Sequence, residues 1–225
     1  MKIMKTVLSL FVSITLFLPI WSFAKSDGEW KTIFNGKDLS GWKANILPES
    51  FTVENGLLKA HCDDPDNRKS HLFFTGDNRD DFVLFKNFEF EAMVLCEPDS
   101  NSGIFFHTDA EIRDSKHHLA NGYEVQINSK AREKRKTGSL YEIVDLSSSP
   151  IDESEWFKLR IKVLDKRITV FINDTQLVDY TEPDNPQRSE RRKGRVLRPE
   201  GGAIALQGHD SDSIAYFKDI RIRRL

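Results

Sequence analysis

Residues 101–127 read NSGIFFHTDAEIRDSKHHLANGYEVQI. Side chains on a β-strand point alternately to its two faces. As a strand, Gly103 to His107 puts Phe105 and His107 on one face and Ile104 and Phe106 on the other. As a second strand, Tyr123 to Ile127 sends Tyr123, Val125 and Ile127 one way and Glu124 and Gln126 the other. An acid beside an amide, backed by an apolar face, is what a polar pocket on a sheet requires. A solvated strand face has the same spacing.

The strand pattern continues on both sides of this stretch. In FTVENGLLKA, residues 51–60, Asn55-Gly56 lies between apolar runs and predicts a tight hairpin, since both residues tolerate positive φ. Leu72 to Thr75 reads as a short strand, and Phe82 to Cys96 as the longest one, apolar on both faces toward its end. Ser139 to Val144 is expected to resume the sheet. Trp156 to Leu164 alternates Phe157, Leu159, Ile161 and Val163 with Lys158, Arg160 and Lys162, which predicts one wet face. Arg167 to Ile172, Gln176 to Tyr180, Gly202 to Gln207 and Ile214 to Arg223 complete about a dozen strands with frequent turn signals. No helical period persists beyond a turn or two. The class predicted is all-β, a two-sheet sandwich or jelly roll. Trp42 and Trp156 are expected in its core.

Residues 1–24 read as a signal peptide: Lys2 and Lys5 precede a nearly unbroken apolar run, and Ser22-Phe23-Ala24 offers a cleavage site. A periplasmic or secreted protein with no stable membrane insertion follows, with 25–225 as one domain. Loss of the leader removes two lysines and no acid, taking the formal charge of -2 to -4. That balance gives no reason to expect nucleic acid. The basic clusters Lys130 to Lys136 and Arg188 to Arg198 read as solvated loops. Cys62 and Cys96 are the only cysteines, so one disulfide or two free buried thiols are the options, and zinc-thiolate or thiol redox chemistry is excluded.

No GxSxG, HExxH, Walker loop or Gly-rich dinucleotide turn is present. The candidates for chemistry are therefore polar residues at strand ends. Glu124 and Gln126 come first, then His107, then Gln207 and His209, which share a face where a strand leaves for a loop. Tyr141 could offer its hydroxyl, although a buried core tyrosine is the more common explanation. His117 and His118 are neighbours in a loop-like segment and are not expected to serve as a metal pair.

The motifs WKTIFNGKDLSGW, ENGLLKA, NSGIFFH, GYEVQI, TGSLY and GGAIALQGHDSDSIAYFKDIRIRRL occur in this order along the chain. Together they resemble the 3-keto-disaccharide hydrolase domain family, also described as 3-keto-glucoside 1,2-lyases and 3-keto-2-hydroxy-glucal hydratases. The resemblance implies a concanavalin-A-like jelly roll and a 3-keto sugar substrate. It implies removal of the acidic C2 hydrogen, elimination of the C1 substituent, and addition of water to the resulting glucal. By position it implies Glu124 as metal ligand or general base, with Gln126 orienting it. His107 and His209 would be ligand or acid/base, and Tyr141 proton donor to the leaving oxygen. A divalent ion such as Ca or Mn, held by Glu124 and His209, would stabilise the enolate. In relatives Arg stands where this chain has His107, and Asp where it has Gly208. A non-catalytic carbohydrate-binding module is the alternative that such a fold leaves open.

Overall fold

A computed structural model describes residues 28–78 and 81–225. The expected signal peptide, 1–24, lies outside the described residues. Among the described residues thirteen strands form two antiparallel sheets: β1 (Lys31–Thr32), β2 (Trp42–Ala44), β3 (Phe51–Glu54), β4 (Leu57–Ala60), β5 (Ser70–Phe74), β6 (Phe88–Cys96), β7 (Asn101–Thr108), β8 (Tyr123–Asn128), β9 (Phe157–Leu164), β10 (Arg167–Ile172), β11 (Thr175–Thr181), β12 (Ala203–Gly208) and β13 (Ala215–Arg224). The larger sheet runs β11-β10-β9-β6-β13-β4-β3, with β1 also on β13. The smaller runs β2-β5-β12-β7-β8.

Alternation decides which side chains fill the space between the sheets. On β9, Phe157, Leu159, Ile161 and Val163 are buried while Lys158, Arg160 and Lys162 stay half-exposed. From the smaller sheet Leu72, Ile104, Phe106, Tyr123, Val125, Ile127, Ile204 and Leu206 meet them in one core. The outer face of the smaller sheet carries the other set: Phe73, Phe105, Leu119, Ala203 and Ala205 form a separate apolar cluster there. Burying a side chain of the Leu or Phe class is worth about 1.5–3 kcal/mol, so the core specifies the fold and leaves that outer face available for function. Asn55 and Gly56, at φ 51° and 81°, make the turn between β3 and β4 as expected.

Several expectations are corrected. Residues 82–87 form no strand, only an isolated bridge of Phe85 to Gly202, and the strand begins at Phe88. Ser139 to Val144 is a turn tied by isolated bridges of Leu140 to Val125 and Val144. Trp42 is buried, donating Nε1–H to the Ile33 carbonyl at 2.7 Å. Trp156, expected in the core, is only half-buried, with the Lys218 ammonium 4.0 Å from its ring centre. Cys62 and Cys96 are buried free thiols. Among the described residues no helix is long and apolar enough to cross a membrane.

Candidate active site

The outer face of the smaller sheet carries a cavity of about 130 Å3 lined by Glu124 and Gln126 of β8, Asn101 and Phe105 of β7, and Gln207 of β12 with His209 just beyond it. Strand alternation brings these residues together. Glu124 pairs with Phe105 and Gln126 with Gly103 across β7 and β8, while Gln207 lies opposite His71 of β5. Gly103 makes room for the acid: a Cβ there would lie 2.8 Å from Glu124 Oε1.

The opposite wall comes from loops. Arg113, His118 and Leu119 line it from the 109–122 connection, Tyr141 from the 138–146 turn, and Arg191, Arg192 and Arg195 from the long connection before β12. Arg195 is 2% exposed. Its Nη2 donates to Glu124 Oε2 at 3.1 Å and its Nη1 to the Gly122 carbonyl at 3.1 Å. Arg192 forks onto Glu142, with Nη2 2.8 Å from Oε1. The basic cluster expected to be a solvated loop thus turns two guanidinium groups inward.

Burial pushes the Glu124 carboxyl above its ordinary value, and the Arg195 charge opposes that push. The Tyr141 hydroxyl is raised by burial and then by Glu124, and the guanidinium carbons of Arg135 and Arg192 lie 4.7 Å and 5.2 Å from its ring centre. His209 Nδ1 is 2.7 Å from Asp210 Oδ2. Burial tends to raise the Asp210 carboxyl, but hydrogen bonds from His209, Lys130 and Ser213 outweigh it and hold the group well below the carboxylate range. With a carboxylate as its partner, His209 Nδ1 is the donor of this contact, and in the neutral ring the lone pair falls on Nε2.

Three buried atoms of lining residues have neither a hydrogen-bond nor an ion-pair partner: the donor Arg195 Nε and the acceptors Gln126 Oε1 and Gln207 Oε1. His71 Nδ1, beside Gln207 and against Phe105, is a fourth unpaired atom. Buried polar atoms are almost always paired, so a cluster of unpaired donors and acceptors around one cavity marks a ligand offering both. A wider depression of about 730 Å3 lies beside Phe34, Glu91 and Arg221. There Glu91 pairs with Arg221 and Lys158 with Asp174, and no such cluster lines it.

Of the candidates read from sequence, Glu124, Gln126, Gln207, His209 and Tyr141 line this cavity. His107 does not. Three residues of β12, Ala203 to Ala205, span four of β7, Phe105 to Thr108, and the extra residue leaves His107 at φ 51°. The bulge turns its ring onto Phe88, centroids 6.3 Å apart. Nε2 contacts the Lys86 carbonyl and Nδ1 accepts the Arg198 amide. Gly202 permits the bulge, since a Cβ there would lie 2.3 Å from the His107 carbonyl carbon. His118, set aside in the sequence, does line the cavity. Arg195 and Arg113 had no signal beyond their charge.

The divalent ion expected on Glu124 and His209 does not suit these residues. Among the described residues no group of three or more His, Cys, Asp or Glu is placed to hold a metal. Glu124 is committed to Arg195, and four guanidinium groups against two carboxylates, Glu124 and Glu133, line the same cavity, a net positive arrangement that disfavours a dication.

A model of the 3-keto-alpha-glucoside-1,2-lyase-like domain matches residues 29–223. The chain belongs to this family. A 3-keto-disaccharide hydrolase of Bacteroides thetaiotaomicron is 26% identical over 251 aligned positions, covering 94% of this chain and 82% of that protein. Among solved structures, one described as a glycosyl hydrolase from Parabacteroides distasonis superposes with a TM-score of 0.71 at 19% identity, covering 88% of this chain and 94% of the other. A Bacillus subtilis protein with a galectin-like fold gives 0.57 at 12% identity over 88% and 96%. These two show the fold alone: the 3-keto-alpha-glucoside-1,2-lyase-like domain here is an all-β, jelly-roll-type sandwich.

Proposed function

We propose that this chain cleaves 3-keto-glucosides by removing the C2 proton and expelling the C1 substituent, and that water then adds to the glucal so formed. The observation that carries the reading is the set of unpaired buried donors and acceptors around the Glu124–Arg195 pair. The two glutamine oxygens accept sugar hydroxyls, and the guanidinium groups receive the oxyanion. Family membership supports the substrate class.

A ketone at C3 makes the C2 hydrogen acidic because its electrons can delocalise onto O3. His209, with Nδ1 fixed on Asp210, offers Nε2 as the base. Arg195, with Arg192 and Arg113 beside it, supplies the positive charge that the enolate requires. Glu124 holds Arg195 in place and binds a sugar hydroxyl. Tyr141, its hydroxyl raised by burial and so protonated, donates a hydrogen bond to the departing oxygen. Export to the periplasm or beyond, on the strength of the leader, belongs to the same proposal.

Purified protein incubated with a chromogenic 3-keto-glucoside is expected to release the aglycone, while the unoxidised glucoside stays intact. Stoichiometric sugar binding with no product would replace this reading with that of a binding module.

A further inference from the structure

His118 also lines the cavity, and its environment parallels that of His209. Its Nδ1 lies 2.8 Å from Asp114 Oδ1 and 3.0 Å from Oδ2, so this nitrogen carries the hydrogen and Nε2 the lone pair. The support is built. Arg113 N donates to the His118 carbonyl at 2.8 Å, Ile112 and Leu119 form a bridge, and His117, at φ 58°, donates its amide to the Asp114 carbonyl at 2.9 Å. Leu119, next in the chain, is fully buried in the cluster with Phe73 and Phe105. This hairpin presents an oriented imidazole to the pocket from the wall facing the strands.

We propose that His118, oriented by Asp114, is the base that activates the water adding to the glucal. The inference rests on the keto-glucoside reading above. Two proton transfers at different carbons separate the two half-reactions. In elimination, His209 takes the C2 proton, the C1=C2 bond forms, and the C1–O bond breaks with its electrons leaving on the aglycone oxygen, which takes up a proton from solvent. In hydration, His118 Nε2 takes a proton from water as the oxygen bonds to C1, and then releases that proton to solvent. The electrons of the double bond pass to the C3 oxygen, and C2 takes a proton from His209, whose imidazole proton exchanges with solvent between the two half-reactions. Sugar plus water gives 3-keto-glucose plus aglycone, with nothing oxidised or reduced.

The groups around the imidazole support this role. Burial draws His118 below its ordinary value. Asp114 works against that, and Arg113 and Lys69 add to it, so the ring is neutral at pH 7. His71 of β5 lies near enough for the charges to interact, and Arg191 reaches Asp114 at 4.0 Å. Tyr141, its hydroxyl raised by burial, does not supply a base at that pH.

The test is product partition in the full chain. A general base contributes about 100- to 10,000-fold. With a 3-keto-glucoside, His118→Gln is therefore expected to raise the ratio of accumulated 3-keto-2-hydroxy-glucal to hydrated sugar about 100-fold or more. Asp114→Asn is expected to raise it less, with the melting temperature reporting that each variant folds. The glucal supplied directly assays hydration without elimination. Hydration by His118→Gln at the wild-type rate, or a ratio that does not move because both half-reactions fall together, overturns the proposal. Wild-type protein that hydrates the supplied glucal but releases no aglycone overturns the elimination reading and leaves His118 to be judged on hydration. Wild-type protein that does neither overturns both.

Discussion

Glu124 and Arg195 meet at 3.1 Å with both side chains sealed from solvent, although 71 residues separate them in the chain. The strand face and the long connection before β12 are thereby joined at the centre of the cavity. The pair fixes a charge where the chemistry needs one.

Removing one partner of a buried ion pair strands the other and costs about 3–5 kcal/mol. Arg195→Ala is expected to lose that much in urea unfolding. Arg195→Met combined with Glu124→Gln is expected to lose less than the two single changes added together, because neither charge is then left alone. Additive losses would show that the pair is not coupled.

Gly103→Ala places a methyl 2.8 Å from Glu124 Oε1, and Arg195 restricts the carboxylate's retreat. Turnover is expected to fall at least tenfold with a melting temperature close to that of the parent. A large loss of stability would mean that the strand, not the acid, absorbs the clash.

His209 depends on Asp210 for its tautomer, so Asp210→Asn is expected to lower kcat far more than it raises KM. Unaltered kcat would remove His209 from the base role.

Acid is expected to destabilise the fold in two stages. His71, His107 and His118 are all depressed, primarily by burial. Unfolding lets them bind protons, so stability is full above about pH 6.5 and declines as pH falls from there. Asp210 is held low by its hydrogen bonds, so its contribution is present above about pH 4 and is lost below. Urea midpoints measured from pH 8 to pH 3 check both limbs. A flat profile down to pH 4 would contradict the first.

Strand alternation made most of the fold legible, because a period of two with one apolar face can be read from local sequence alone. It placed Glu124 and Gln126 on the outward face opposite Tyr123, Val125 and Ile127, where the structure has them. It failed at His107, where one extra residue in β7 opposite β12 inverts the side chain's direction. A bulge depends on the partner strand, which the local sequence does not contain. The arginine wall was illegible for a similar reason. Charge in a polar run reads as solvated, and only the tertiary approach of Glu124 and Glu142 shows where Arg195 and Arg192 turn. His118 was hidden in the same way, its partner Asp114 becoming visible only once the hairpin closes.

The most direct test of the central claim is exchange at C2 with EDTA present. Protein in D2O with a 3-keto-glucoside is predicted to release aglycone undiminished by EDTA, and to yield 3-keto-glucose carrying deuterium at C2. Aglycone release with the C2 hydrogen retained, or release that EDTA abolishes and a divalent metal restores, would contradict the account.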